Sequence, residues 1–141
     1  MEDREARLAE SYRLSSLLWR VTQRTMADFA AVVESFDLPV PVARAVLSLG
    51  EPTPMRELAG RLRCDPSWVT SLADDLERRG LAERTADPSD RRVKVLRLTG
   101  EGAAVRDRLA EAVARESTVM RRLDGGDRTA LEPLLERLLD D

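Results

Sequence analysis

The sequence predicts a mainly α-helical chain with one small β-hairpin inserted among its helices, and three observations carry that expectation. Apolar residues recur at three- and four-residue intervals over most of the 141 residues. Two short helical stretches, Met55–Leu62 and Ser67–Arg79, follow each other across a brief bend. Directly after the second, the pattern shifts to two short strand-like runs, Leu81–Thr85 and Val93–Leu98, around a polar connection.

Size and composition narrow the function classes. A chain of 141 residues fits one compact domain, or one domain with terminal extensions that need a partner chain, and leaves no room for a separate catalytic domain. With 43% hydrophobic and 35% charged residues, it suits an ordered helical fold. Cys64 is the lone cysteine and there is no histidine, so an internal disulfide is excluded and both a transition-metal site and a neutral-pH general base lack their usual ligands. No clustered nucleophile, base and oxyanion arrangement and no phosphate-binding glycine loop are present, so an enzyme is not expected, nor is a cofactor. No run is apolar enough to cross a bilayer, and Met1 leads into Glu2, Asp3, Arg4 and Glu5 without a signal-peptide core. The expected location is the cytoplasm, with no membrane partner.

The net charge of −3 runs against simple attraction to nucleic acid, but the charge is unevenly distributed. Residues 54–97 carry 10 basic and 8 acidic groups, whereas residues 1–53 carry 6 and 8 and residues 98–141 carry 7 and 10. Only the middle third is net positive. A basic reading surface in an acidic frame is compatible with salt-sensitive binding to duplex DNA.

The elements follow in order. From about Ala6 to Ser35, Leu14, Leu17, Leu18, Val21, Phe29 and Val32 recur at helical spacing, with Tyr12, Trp19 and Met26 adding bulk around the helix. That exceeds the apolar circumference a small core needs, so part of this helix is expected to pack against another subunit; ordinary burial within the chain is the alternative. Pro39 and Pro41 mark the entry to a second helix whose face is Val42, Ala45, Val46 and Leu49, ending at Gly50. Glu51–Pro54 reads as a connector. Met55, Leu58, Ala59 and Leu62 mark the next helix. Asp65 is placed to cap the helix after that, with Pro66 in its first turn, Val69, Leu72, Ala73 and Leu76 on its buried face, and Gly80 at its end.

The strand-like runs then make an edge hairpin, with Val93, Val95 and Arg97 on one side and Lys94, Leu96 and Leu98 on the other. Thr99 is placed to cap a long helix running toward Leu123, with Ala103, Val105, Leu109, Val113 and Met120 as buried candidates. Gly125 and Gly126 are expected to break it. A final helix, about Arg128–Leu139, puts Leu131, Leu134, Leu135, Leu138 and Leu139 on an apolar side and holds Pro133 in its first turn. Two adjacent helices followed by a hairpin describe a winged helix-turn-helix. The expected organisation is an N-terminal helix at 1–37 and C-terminal helices at 100–141, both contributing to dimerisation, around a reading region at 38–99, all in one compact domain.

The central segment resembles the multiple-antibiotic-resistance regulator (MarR) family. The resemblance rests on the Leu58-Ala59 step, on Cys64-Asp65-Pro66-Ser67-Trp68-Val69-Thr70 and on Leu76-Glu77-Arg78-Arg79-Gly80-Leu81. It rests above all on Asp87-Pro88-Ser89-Asp90-Arg91-Arg92 followed by Leu98-Thr99-Gly100-Glu101-Gly102. It implies a triangular homodimer with two winged heads, a bacterial transcription regulator. Many relatives repress promoters until a small aromatic or other ligand, or an oxidant, alters head spacing. Trp68 departs from the small polar residue often found in relatives, and Asp75 from a common arginine.

Candidate DNA-binding residues are Ser67, Trp68, Thr70 and Ser71 at the start of the second helix of the pair, and Arg91 and Arg92 on the hairpin. Local capping, packing of Trp68 beneath the neighbouring helix, and plain solvation of the arginines are the alternatives. The resemblance assigns Asp90 as an organiser of a wing arginine, and Arg78, Arg79 and Arg84 are candidates for bracing the wing internally. Asp74 and Asp75 repel phosphate if they face a duplex, unless they hold an arginine. Tyr12, Trp19, Met26 and Met120 are candidate lining residues for a small aromatic or apolar effector, with ordinary core or interface burial as the alternative. Cys64 reads as a buried turn residue, with oxidation sensing as the lesser possibility.

The sequence therefore predicts a sequence-specific double-stranded-DNA-binding transcription regulator, a ligand-responsive repressor acting as a homodimer on a pseudopalindromic operator. The competing reading is a winged-helix protein-interaction or assembly module with weak or lost DNA binding.

Overall fold

The computed structural model describes residues 1–140, which run α1 (Glu2–Ser35), α2 (Val40–Ser48), β1 (Thr53–Pro54), α3 (Met55–Leu62), α4 (Pro66–Arg78), β2 (Ala82–Ala86), β3 (Lys94–Leu98), α5 (Gly100–Glu116), α6 (Thr118–Arg122) and α7 (Gly125–Leu139). They divide into two units: a head, Val32–Ala112, and an arm formed by Met1–Ala31 and the segment from Val113 onward. The division falls inside α1 and α5 rather than at the expected limits of 37 and 99. Val32 and Val33 at the end of α1, and Leu109 and Ala112 on α5, are buried residues of the head.

The head is built on the expected apolar faces. Val42, Ala45 and Val46 of α2, Leu58, Ala59 and Leu62 of α3, and Val69, Leu72, Ala73 and Leu76 of α4 form one core with Leu81, Ala82 and Leu96. Fully burying a large aliphatic side chain stabilises by about 1.5–3 kcal/mol, so this cluster dominates the head's energetics. Both helices of the pair end in the same hydrogen-bond motif. After α4, Leu81 N–H donates to the Leu76 carbonyl and Gly80 N–H to that of Glu77, both at 3.0 Å, with Gly80 at φ 71°. After α3, Cys64 N–H donates to Ala59 at 3.1 Å and Arg63 N–H to Gly60 at 3.2 Å. Here the left-handed position belongs to Arg63, at φ 51°.

Glu51–Pro54 is more than a connector. Thr53 and Pro54 form an edge strand, pairing antiparallel with Leu96 and Val95, so the sheet has three strands in the order β1-β3-β2. Two residues are too few to show a period, and Pro54 is tolerated because an edge position asks no N–H of it. The wing strand β2 lies one residue later than expected and pairs with β3 from Ala82 opposite Leu98 to Ala86 opposite Lys94. Strict alternation fails on β3: adjacent Val95 and Leu96 are both buried, so both faces of this central strand are covered there.

The junction after the wing explains the Leu98-Thr99-Gly100-Glu101-Gly102 motif. Thr99 Oγ1 accepts from Gly102 N–H at 3.1 Å, capping α5, and donates to the Gly80 carbonyl at 2.6 Å. Thr99 N–H donates to the Leu81 carbonyl at 3.0 Å. A β-carbon on Gly102 would lie 1.8 Å from that Leu81 oxygen, so only glycine permits this approach of helix to turn.

In the arm, three expectations are corrected. The long helix stops at Glu116 rather than near Leu123, because Ser117 caps the short α6 by accepting from Met120 N–H at 3.4 Å. Gly125 and Gly126 do not break a helix; they form the first turn of α7, set by a reciprocal capping box between Asp124 and Asp127. That earlier start places Pro133 inside α7 rather than in its first turn. Of the proposed buried residues on these helices only Leu109 is buried; Val105 and Val113 are half-buried, and Ala103 and Met120 are exposed. Asp28 of α1 accepts from Thr118 N–H at 2.8 Å, a contact within the arm.

Candidate nucleic-acid interface

Helix α4 begins without the expected side-chain cap. Asp65 occupies the capping position in extended conformation, but its carboxylate makes no cap bond; its backbone carbonyl accepts instead from Trp68 and Val69 N–H, at 3.0 and 3.1 Å. Pro66, which has no N–H to satisfy, starts the helix. Because Val69, Leu72, Ala73 and Leu76 are buried, the helical period turns Ser67, Thr70, Ser71 and Asp74 outward, and all four are exposed. Trp68 is also exposed, at 43%, rather than packed beneath the neighbouring helix. The hydroxyls of Thr70 and Ser71 donate back to the Pro66 and Ser67 carbonyls at 3.1 and 3.4 Å, leaving their oxygens able to accept.

The wing tip is ordered by two aspartates, each closing a short turn on the residue two positions ahead. Asp87 Oδ1 accepts from Ser89 N–H at 2.9 Å and from its hydroxyl at 2.8 Å, and the backbone N–H of Ser89 is the leading reason the Asp87 carboxyl sits below its ordinary range. Asp90 Oδ1 accepts from Arg92 N–H at 3.1 Å and Nε at 3.2 Å. The Arg92 side chain nevertheless stays 92% exposed. Arg91 beside it is exposed as well.

Among the described residues, the Arg78 side chain hydrogen-bonds within α4 and makes no hydrogen bond or ion pair to the wing. Its Nη2 donates to Asp75 Oδ1 at 3.2 Å, and Arg79 Nε donates to the same oxygen at 3.1 Å, both within or at the end of α4. The arginine that does bridge helix and wing is Arg84 on β2. Its Nε donates to Glu77 Oε1 at 3.0 Å and its Nη2 to Glu77 Oε2 at 3.1 Å and to Asp74 Oδ1, while its backbone N–H also reaches Glu77 Oε1 at 3.0 Å. The hydrogen bond from the Arg84 side chain leads the causes that hold the Glu77 carboxyl below its ordinary range. Glu77 and Arg84 are seven residues apart with a turn between them, and only the Gly80 turn that folds β2 back along α4 brings them together. Both aspartates that opposed DNA binding on paper are thus matched by guanidinium groups.

Tyr12, Trp19 and Met26 on α1 and Met120 on α6 are exposed, Trp19 at 66%. Cys64 is half-buried against the head core. Among the described residues no group of three or more potential metal ligands converges, and no helix is long and apolar enough to cross a membrane.

Comparison with known proteins bears on this geometry. The MarR family model matches residues 47–94, which takes in α3, α4, β2 and the wing tip and ends at the first residue of β3. A transcriptional regulator of the MarR family from Rhodococcus sp. RHA1 is 28% identical, with 91% of this chain and 92% of that one aligned at a TM-score of 0.72. CouR from Rhodococcus jostii RHA1, solved bound to p-coumaroyl-CoA, is 32% identical over 89% of this chain and 88% of its own, with a TM-score of 0.75. The chain belongs to the MarR family. Its head is accordingly a winged helix-turn-helix of the MarR type. The transcriptional repressor NicR of Pseudomonas putida is 30% identical over 90 residues, covering 63% of this chain and 57% of NicR. The chain thus spans about half the length of the curated relatives it matches. Sequence reasoning missed β1 and did not single out Arg84 from Arg78 and Arg79 as the arginine that braces the wing, whereas the MarR wing motif was readable from the chain alone.

Proposed function

We propose that the protein is a sequence-specific double-stranded-DNA-binding transcription regulator, acting as a homodimeric repressor on a pseudopalindromic operator. One observation carries the reading: the outward face of α4 and the ordered, exposed Arg92 belong to a single head unit in which α4 and β2 are directly bonded. Ser67, Trp68, Thr70 and Ser71 enter the major groove, where hydroxyls meet base edges or phosphate and the indole meets a thymine methyl. Arg91 and Arg92 reach an adjacent minor groove or its phosphates, with Asp90 holding Arg92. A second copy covers the apolar side chains of the arm and supplies the second head for the next half-site. CouR's ligand, a thioester with an aromatic acyl group, supports an effector with an aromatic part, and NicR's designation as a repressor supports the direction of control. Tyr12, Trp19, Met26 and Met120 are the proposed effector or interface residues.

The test is fluorescence anisotropy on the duplex that the wild-type protein enriches from a random pool. Replacing Arg91 and Arg92 together with alanine is expected to weaken binding at least about tenfold and to flatten the salt dependence by about two phosphate contacts. Size-exclusion chromatography should show the dimer intact. The net charge of −3 favours the second reading, an interaction module without DNA binding, and failure of the wild type to enrich any duplex would establish it.

A further inference from the structure

We infer that Arg84 is a positioning residue that sets the wing at a fixed angle to the recognition helix, through a fork onto Glu77 and Asp74. This rests on the DNA-reading role proposed above and extends it to a residue that does not itself touch DNA.

The fork is unlike the other ion pairs of the head. Most of those join neighbours on one helix or are open to solvent, as in Asp75 with Arg78 and Arg79, or Asp90 with Arg92. Glu83 and Arg97 pair across the two wing strands and leave the helix untouched. Arg84 alone among these joins α4 to the wing. Its side chain is only 28% exposed, against 74% for Arg78. Glu77 receives both ends of the same residue, the backbone N–H and the guanidinium, so β2 cannot rotate about its axis without breaking both. Asp74 stands one helical turn from Thr70 and Ser71, so the anchor of the wing sits on the stretch of helix proposed to read bases.

A guanidinium is suited to this because its planar set of donors engages two carboxylates at once, which a lysine ammonium cannot do with the same directionality. Gripping two grooves together requires that the helix and the wing keep their spacing; a wing free to swing would still meet phosphates but would lose register with the bases.

The experiment compares wild type, R84Q, E77A, R84K and D74N for affinity toward the enriched duplex and toward an unrelated duplex, across several salt concentrations. R84Q makes the head more negative and E77A makes it less so, so a simple charge effect moves their affinities in opposite directions and leaves the ratio of specific to unrelated binding unchanged. The positioning role predicts that both lower that ratio, by about tenfold or more, with the salt slope on the unrelated duplex as in wild type. R84K should recover only part of the ratio, and D74N, which removes one arm of the fork, should lower it severalfold. Thermal unfolding identifies any variant that fails to fold, in which case D74N and R84K decide. Opposite shifts with a constant ratio overturn the inference. So does a uniform loss for R84Q with the salt slope reduced by about one, since Arg84 would then be a phosphate contact. A wild type that enriches no duplex overturns the DNA-reading role itself, an outcome distinct from either.

Discussion

The head and the arm spend their apolar residues differently. In the head, Leu58, Leu76 and Leu96 are fully buried, and large apolar side chains are seldom left in solvent. In the arm, Leu14, Leu17, Trp19, Met26, Leu134 and Leu138 are all more than half exposed, and α6 and α7 have no buried residue. The arm helices also carry apolar residues at helical spacing, though less sharply segregated to one face than in the head, so the contrast teaches that periodicity tells which residues want covering, not who covers them. The head completes its core from its own elements, whereas the arm presents a face that a second copy is proposed to fill.

The largest expected effect tests the self-sufficiency of the head. Leu76→Ala should destabilise the protein by about 2–5 kcal/mol in urea unfolding, whatever the protein concentration, because the cavity lies inside one chain. Leu138→Ala, on a residue 65% exposed in the single chain, should instead act through concentration: dilution should dissociate the variant sooner in analytical ultracentrifugation. Equal, concentration-independent losses in both would remove the distinction.

Gly102→Ala should come next, costing about 1–3 kcal/mol by overpacking even though alanine is the better helix former. The Leu81 carbonyl leaves no room for the methyl, and the displaced turn carries the wing, so DNA affinity should fall along with the unfolding midpoint. Arg63→Gly is a smaller change of opposite sign. It relieves a left-handed conformation at the end of α3 and should stabilise the head by up to about 1 kcal/mol, measured by denaturant unfolding.

The smallest effect is pH-dependent. Because its folded-state carboxyl is held below the ordinary glutamate range, Glu77 contributes stability above that range and loses it as the pH falls through the lowered value. Melting temperatures of wild type and Glu77→Gln should therefore differ at neutral pH and converge in acid. A gap that persists unchanged in acid would show that the carboxylate's charge contributes nothing.

Much of this was legible because it is local. Val69, Leu72, Ala73 and Leu76 declare a helix face by spacing; Pro66 and Gly80 declare its ends by what their backbones can and cannot do. The wing motif was legible too, since Asp87 and Asp90 act on residues two positions away. The arm was read less well. Ser117 and the Asp124–Asp127 box moved helix limits that the glycines had suggested, because a satisfied cap outweighs the modest cost of glycine in a first turn.

The sequence by itself determined where the helices and hairpin lie and which faces are apolar, since those depend on backbone propensity and side-chain period within a few residues. Only the tertiary structure decided that Thr53 joins the sheet, that Arg84 rather than Arg78 ties the wing to α4, and that Gly102 lies against Leu81. These are meetings between residues that no local period relates, and they exist only once the Gly80 turn and the shared core have brought the elements together.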